Sequence, residues 1–379
     1  MMSKLELVIV LAAGDGTRMK SNKAKVLHEI AGQTIIESVL AAVAPLSAKN
    51  LTVVVGADKD VVVEHISKIS TKIKTVEQVK RNGTGAAAQL ALDEHNGDGT
   101  VLILAGDTPL LTTQTLQEFL DAHSDQGHDA SVLTALLPDP TGYGRVIRND
   151  QGLIAEIIEE KDASSSQTEI DEINTGVYLF DLKVLRQVIS KLESNNAQKE
   201  LYLTDVISLI NKNGGLISAI VSNDYTETLG INDRSQLAEC AAIMRDRINY
   251  QHMLAGVTII DPTTTWIDTQ VKISPDVVIH PGSALSGKTI VGAKAIIGPR
   301  TTLVDCEVGS DATVVESFAT KSKIGASAQV GPYTYLRQGT VLDNESKAGA
   351  FVEIKNSTVG KGSKVAHLSY VGDAQIGQE

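Results

Sequence analysis

The sequence is poor in aromatic side chains: 4 Phe, 1 Trp and 8 Tyr in 379 residues. Any extended β-structure must therefore be packed with aliphatic and small side chains. Cysteine is also scarce. The 2 cysteines, Cys240 and Cys306, fit no metal-ligand spacing and read as reduced thiols of a cytoplasmic protein. Positive charge is in deficit, with 34 Lys and Arg against 46 Asp and Glu and a formal net charge of -12. That excludes a broad nucleic-acid surface, which needs a basic face, but not a nucleotide held by a few local cations and a metal ion. Long hydrophobic runs are missing too. The first, Leu7 to Ala13, is broken by Gly14; it is too short for a secretory signal or a bilayer span and reads as a buried strand.

What is present is a chain of 379 residues with 42% hydrophobic and 21% charged side chains, long enough for two soluble globular domains. Over residues 1–230 short aliphatic runs alternate with helical stretches. The runs are Leu7–Leu11, Leu51–Val55, Val101–Ala105, Ala130–Leu136 and Val177–Phe180. Such runs predict a mainly parallel sheet covered on both faces. Leu237, Ala241, Met244 and Ile248 recur at helical spacing and predict a connecting helix packed on one side. From about Val271 an aliphatic residue followed by Gly recurs, as at Val291-Gly292, Ile297-Gly298, Val308-Gly309, Ile324-Gly325 and Val359-Gly360. Several of the gaps are six residues or close to a multiple of six. Short strands with one inward aliphatic side chain and a small residue at each tight corner give a triangular β-solenoid. The chain ends at Glu379, directly after a repeat unit, which suggests a solenoid that stops early.

The first strand leads into Leu11-Ala12-Ala13-Gly14-Asp15-Gly16-Thr17-Arg18-Met19. Ligands of open α/β sheets bind at that strand edge, and Gly14 and Gly16 let backbone N–H groups approach phosphate oxygens. Met19 breaks the dinucleotide fingerprint, and no Gly-Lys-Ser/Thr follows to make a Walker loop. Arg18 and Lys25 add cations that can reach phosphates; taken alone, the segment is a tight turn with two solvated charges. A second apolar strand, Val101 to Ala105, ends in Gly106-Asp107, which places a carboxylate beside the first loop where it can hold Mg²⁺ against triphosphate oxygens. Taken alone, Asp107 is equally a helix N-cap.

Leu11–Arg18 followed by Lys25-Val26-Leu27-His28 and Ala31-Gly32 resembles the sugar-1-phosphate nucleotidyltransferases. In detail the chain is similar throughout to the bacterial bifunctional N-acetylglucosamine-1-phosphate uridyltransferase/glucosamine-1-phosphate acetyltransferase family. The resemblance implies an α/β, Rossmann-like nucleotidyltransferase domain over residues 1–233 and a linker helix over 234–255. A left-handed parallel β-helix of hexapeptide repeats, incomplete at its C-terminus, follows over 256–379. It implies transfer of UMP from UTP to N-acetylglucosamine 1-phosphate, with Mg²⁺ held by Asp107 and Asn232 and with Arg18 and Lys25 stabilising charge. Leu11, Ala12, Ala13, Gly14, Gly16 and Thr17 would hold the nucleotide, and Gln78, Gly83 and Thr84 would read its uracil. Arg81 stands where the family often has Gln. Gly144, Glu159, Asn174, Tyr202 and Thr204 would surround the sugar.

In the solenoid the resemblance makes His367 the general base of an acetyl-CoA-dependent N-acetylation of glucosamine 1-phosphate. Imidazole suits the task because its pKa lies near neutrality. Arg337, Glu353, Lys355 and Tyr370 would hold that substrate, with Glu353 able to orient His367. The family's later coils are absent, so acetyl transfer is expected to be impaired. The resemblance also implies a cytoplasmic homotrimer that binds neither nucleic acid nor membrane. Two alternatives remain: a pyrophosphorylase for another sugar 1-phosphate with a solenoid for assembly or regulation, and a non-catalytic trimeric scaffold that senses UTP.

Overall fold

A computed structural model describes residues 5–56 and 59–379. The chain forms two units. The first runs to His28 and from Thr34 to Cys240; the second comprises Glu29–Gln33 and Ala241–Glu379.

The sheet of the first unit takes its strands from the aliphatic runs. They are Leu5–Ala12 (β1), Asn50–Val55 (β2), Lys74–Glu77 (β3), Thr100–Ala105 (β4), Ala130–Leu136 (β5), Arg145–Arg148 (β6), Ile154–Ile158 (β7), Glu172–Asp181 (β8) and Ile217–Val221 (β9). The order is β9-β5-β8-β4-β1-β2-β3, with β6 pairing β8 and β7 off this path. Neighbours on this path pair in parallel except around β8, which runs antiparallel to β4 and β5; off the path, β6 runs antiparallel to both β8 and β7. The sheet is therefore mixed, with one reversed strand in the middle of the expected parallel array. Alternation along β1 fills two cores, because successive side chains of a strand point to opposite faces. Leu7 and Ile9 join one apolar cluster; Val8 and Val10 join the other.

Among the described residues there are seven α-helices: Ile35–Val43 (α1), Lys59–Ile69 (α2), Thr84–Asp93 (α3), Thr113–Gln126 (α4), Leu182–Ile189 (α5), Asp205–Lys212 (α6) and Arg234–Leu254 (α7). Apolar faces of α3, α5 and α6 pack with Leu7 and Ile9. Those of α1, α2 and α4 cover the opposite face of the sheet. The expected stripe on α7 is weaker than its spacing suggested. Leu237, Ala241, Met244 and Ile248 are only half-buried, and the buried positions are Cys240 and Asn249. Asn249 takes such a place because its amide donates to the carbonyls of Pro262 and Thr265, each at 2.9 Å.

The second unit is a three-sided parallel β-helix of the hexapeptide-repeat type, with three seven-stranded sheets. Each strand pairs in parallel with the strand one coil later, so the inward side chains stack in columns. One column runs Ile279, Ile297, Val314, Val330, Ala348, Val365. A second runs Leu285, Leu303, Ala319, Leu336, Ile354. The interior is aliphatic, and the aromatic rings of the coils, Trp266, Phe318, Tyr333, Tyr335, Phe351 and Tyr370, all stand exposed on its outside. Buried hydroxyls close the coil: Thr334, Thr340 and Thr289 donate to the carbonyls of Gly349, Ile354 and Ser286 at 2.7, 2.9 and 2.8 Å.

Small residues do not mark every corner, contrary to the sequence expectation. Asp276, Lys294, Asp311, Ser327 and Glu345 take the left-handed conformation, at φ between 56 and 63°. In four of them the N–H reaches back in compensation: those of Asp276, Asp311, Ser327 and Glu345 donate to the carbonyls of Gly256, Ala293, Ser310 and Ala326 at 2.8–3.0 Å. Glycine is required where coils touch. A Cβ on Gly292, Gly309 or Gly325 would stand 2.6, 2.5 or 2.6 Å from a backbone nitrogen of the next coil.

Leu336 is fully buried between Ala319 and Ile354 in its column. We expect Leu336→Ala to cost about 2–5 kcal/mol of unfolding free energy, since the stacked coils cannot collapse around the void. Chemical denaturation followed by circular dichroism measures it. A change within ~0.5 kcal/mol would contradict the packing described here.

Candidate active site

The carboxyl ends of β1 and β4 lie side by side, and the Gly106 N–H donates to the Leu11 carbonyl at 2.8 Å. After β1 the chain turns through Gly14–Gly16 into a short 3₁₀ turn at Thr17–Met19. Gly16 has φ +59°, and a Cβ there would meet the Lys25 Cβ at 2.7 Å. Gly16 thus presses the loop against Lys25. Gly14 has open space above it, as close approach of a ligand to its backbone requires.

Asp107 follows β4 directly, and its carbonyl accepts the Ile231 N–H at 2.9 Å. That bond brings Asn232 to Asp107. Next to it, Asp233 caps α7 by accepting the N–H groups of Ser235 and Gln236 at 2.9 Å. Lys25 Nζ donates to Asp107 Oδ2 in an ion pair and lies 3.3 Å from Asn232 Oδ1. A carboxylate, a neutral amide oxygen and an ammonium therefore converge beside the glycine loop.

A cavity of about 360 Å³ opens over this point. Of the residues singled out in the sequence, Leu11, Ala12, Ala13, Gly14, Lys25, Gln78, Gly83, Thr84, Asp107, Glu159, Asn174 and Thr204 line it. Thr17 lines a neighbouring cavity of about 240 Å³ together with Gly14 and Lys25. Arg18 is exposed and lies outside the lining of either cavity, as do Gly16, Gly144, Tyr202 and Asn232, the last of which meets the site through Lys25.

The far wall is knitted by the 78–84 segment. Gln78 Nε2 donates to the Gly83 carbonyl at 2.9 Å, and Thr84 Oγ1 accepts the Leu203 N–H at 3.0 Å. Gly83 has φ +98°, and a Cβ there would stand 2.5 Å from the Leu201 carbonyl oxygen. On the remaining side, the Asn174 N–H donates to the Gly144 carbonyl at 2.8 Å, and Asn174 Nδ2 donates to the Tyr178 hydroxyl at 2.7 Å. Tyr202 turns its hydroxyl away to Gln198 at 2.9 Å.

Sequence reasoning did not single out Tyr178 or Glu200 as site residues, yet both line the cavity. Tyr178 sits in an ordinary aliphatic strand pattern, which carries no signal that one of its faces meets a ligand space.

Glu159 is half-buried in the wall of this cavity, and Thr204 Oγ1 donates to its carboxylate at 3.1 Å. Burial pushes its pKa above the ordinary 4.5; the Thr204 hydrogen bond opposes the shift and the nearby Asp205 and Asp162 reinforce it. The Tyr178 hydroxyl is also pushed upward, again by burial.

On the β-helix, Tyr335, Glu353 and Tyr370 occupy one register position on consecutive coils. Arg337 Nη1 donates to Glu353 Oε1 at 3.0 Å, and Lys355 Nζ to Asp373 Oδ2 at 3.4 Å. Glu353 is thus engaged by Arg337 rather than by His367, whose ring is exposed. Glu353, Lys355 and Tyr370 stand on neighbouring strands of one sheet, and Arg337 directly follows the strand Tyr335–Leu336 of the same sheet.

A glycine loop at the carboxyl edge of a mixed α/β sheet, facing an acid–amide pair and sharing a chain with a hexapeptide-repeat β-helix, defines an enzyme of the nucleotidyltransferase class. Residues 8–151 match the model of the MobA-like NTP transferase domain. The chain is 46% identical over 374 residues to the bifunctional protein GlmU of Streptomyces avermitilis, covering 98% of this chain and 78% of that protein. It is 46% identical over 377 residues to that of Corynebacterium glutamicum, covering 98% and 78%, and 47% identical over 377 residues to that of Mycolicibacterium vanbaalenii, covering 98% and 77%. The chain belongs to the bifunctional GlmU family.

The folded protein holds the Glu159 proton to higher pH than the unfolded chain does. Between the two pKa values the native state binds more protons, so stability falls as pH rises through that window. Glu159→Gln removes this penalty. In urea titrations across pH, the variant should gain stability over the parent above about pH 4.5, levelling off past the folded-state value. A gap independent of pH would show that Glu159 titrates as it does in the unfolded chain.

Proposed function

We propose that the first unit transfers a uridylyl group from UTP to N-acetylglucosamine 1-phosphate, releasing UDP-N-acetylglucosamine and pyrophosphate. The observation that carries this reading is the convergence of Asp107, Asn232 and Lys25 beside the Gly14–Gly16 loop. One anionic and one neutral oxygen suit Mg²⁺, which takes few protein ligands and completes its octahedron with phosphate oxygens and water. The place such an ion would take already holds a positive group, the Lys25 ammonium, between the same two oxygens. Asp107 and Asn232 would hold the ion, whose chemistry is to draw charge from the triphosphate oxygens.

The chain's own residues do the rest by positioning. The open backbone at Gly14 accommodates phosphate oxygens, and Lys25, once released from Asp107, supplies a cation to them. Gln78, Gly83 and Thr84 form the wall assigned to the uracil. Glu159, Asn174 and Thr204 form the wall assigned to the hexosamine, where a carboxylate, an amide and a hydroxyl can each fix sugar hydroxyls. A phosphate oxygen of the sugar phosphate forms a bond to the α-phosphorus as the bond to the bridging oxygen breaks. Pyrophosphate then leaves with that electron pair. The attacking oxygen is already ionised, so no general base is needed.

For the second unit we propose acetyl transfer from acetyl-CoA to the amine of glucosamine 1-phosphate. In this reading His367 is the base, and Arg337, Glu353, Lys355 and Tyr370 hold the sugar phosphate. The family resemblance supports a homotrimer, and substrates such as UTP and acetyl-CoA support a cytoplasmic enzyme.

The test is product analysis after incubation with UTP, Mg²⁺ and N-acetylglucosamine 1-phosphate, with glucose and mannose 1-phosphates as competitors. UDP-N-acetylglucosamine should dominate, and Asp107→Ala should slow its formation by at least ~10²-fold. Undiminished Mg²⁺-dependent pyrophosphate release by that variant would overturn the metal assignment. Equal use of another sugar phosphate would overturn the substrate.

A further inference from the structure

At the rim of the nucleotide cavity a carboxylate and a guanidinium from opposite walls face each other. Asp15 lies between Gly14 and Gly16 in the phosphate-side loop. Arg81 lies in the 78–84 segment across the opening. Arg81 Nη1 donates to Asp15 Oδ2 in an ion pair. The side chains keep 48% and 33% of their exposure, so the pair stands at the open edge rather than in the core. Both residues line the larger cavity and also the smaller one beside it, so the pair stands where the two spaces meet. The uridylyl transfer described above makes no use of either side chain.

Asp15 is the single anionic residue in the loop 13–18. A triphosphate entering over Gly14 brings several negative charges close to that carboxylate. Unpaired, Asp15 would repel them through a partly shielded medium, where like charges a few ångströms apart are costly. Arg81 cancels the charge from the facing segment, and the same contact ties the phosphate loop to the segment that includes Gln78, Gly83 and Thr84.

We propose that Arg81 is a positioning residue for the nucleotide: paired with Asp15, it neutralises the phosphate loop and straps it to the base-side wall. The proposal rests on the nucleotidyl-transfer reading of this cavity. It differs from a role in which Arg81 itself grips a phosphate, because the effect of losing Arg81 then depends on Asp15.

The experiment compares Arg81→Gln, Asp15→Asn and the double variant with the parent. Arg81→Gln should raise the KM for UTP about tenfold at low ionic strength, leaving kcat and the KM for the sugar phosphate within ~2-fold. The rise should shrink to ~3-fold or less at about 0.5 M salt, where exposed charges are screened. Removing Asp15 in the Arg81→Gln background should return the KM to within ~3-fold of the parent, the non-additivity expected of contacting charges. An unchanged KM in Arg81→Gln, a penalty insensitive to salt, or a double variant as poor as Arg81→Gln would each overturn the strap.

Calorimetric UTP binding to the same proteins separates the two ideas. A parent that binds UTP yet forms no UDP-sugar sinks the proposed reaction, and the strap is then judged on the same ratios of Kd. A parent that binds no UTP overturns both.

Discussion

Three segments remote in sequence meet at one ammonium group. Lys25 comes from the turn after the glycine loop, Asp107 from the end of a central strand, and Asn232 from the approach to the long helix. The site depends on this meeting, and backbone bonds impose it rather than the charges alone. Gly106 is bonded to Leu11, which fixes the two strand ends, and Ile231 is bonded to Asp107, which fixes the third segment. The Lys25–Asp107 pair is largely shielded, with side-chain exposures of 10% and 22%. Burying two charges is tolerable only when each is matched, and here each is matched by the other.

Much of this was legible in the sequence, because the strand ends announce themselves. An aliphatic run that stops at Ala-Gly-Asp or Ala-Ala-Gly predicts both the edge and the exposed groups on it, and Asp107 and Gly14 follow from that rule. The repeating aliphatic residues of the solenoid were equally clear, since Ile297, Val308 and Ile324 all point inward. The reversed strand β8 was not legible. Its residues are as apolar as those of a parallel strand, and direction depends on connections that composition does not record. The corner chemistry of the coils also escaped. A left-handed residue was expected to be small, whereas Lys294 and Glu345 adopt that conformation with their side chains in solvent.

Arg18 and Tyr202 show a second kind of limit. Sequence order places both beside functional neighbours, but a 3₁₀ turn or a helix entry rotates successive side chains around an axis. Arg18 consequently stands exposed while Lys25 reaches the cavity, and Tyr202 bonds Gln198 while Thr204 bonds Glu159. Tyr178 and Asn174 were separated by the same blindness: one was singled out, the other not, yet they form a single hydrogen-bonded pair.

The two units solve the problem of buried polarity in opposite ways, and this bears on where chemistry can occur. In the β-helix each buried hydroxyl is committed to a carbonyl of its own or the next coil, so the interior has no polar group to spare and functional side chains must project outward. Arg337, Glu353 and Tyr370, none of them buried, lie outside that interior. In the α/β unit the sheet edge leaves carboxylates half-committed. Asp107 is shared with Lys25, and Glu159 is held by one hydroxyl in a pocket that raises its pKa. Groups so placed keep acceptor capacity that a ligand can use, which makes the sheet edge rather than the coil interior the place for chemistry.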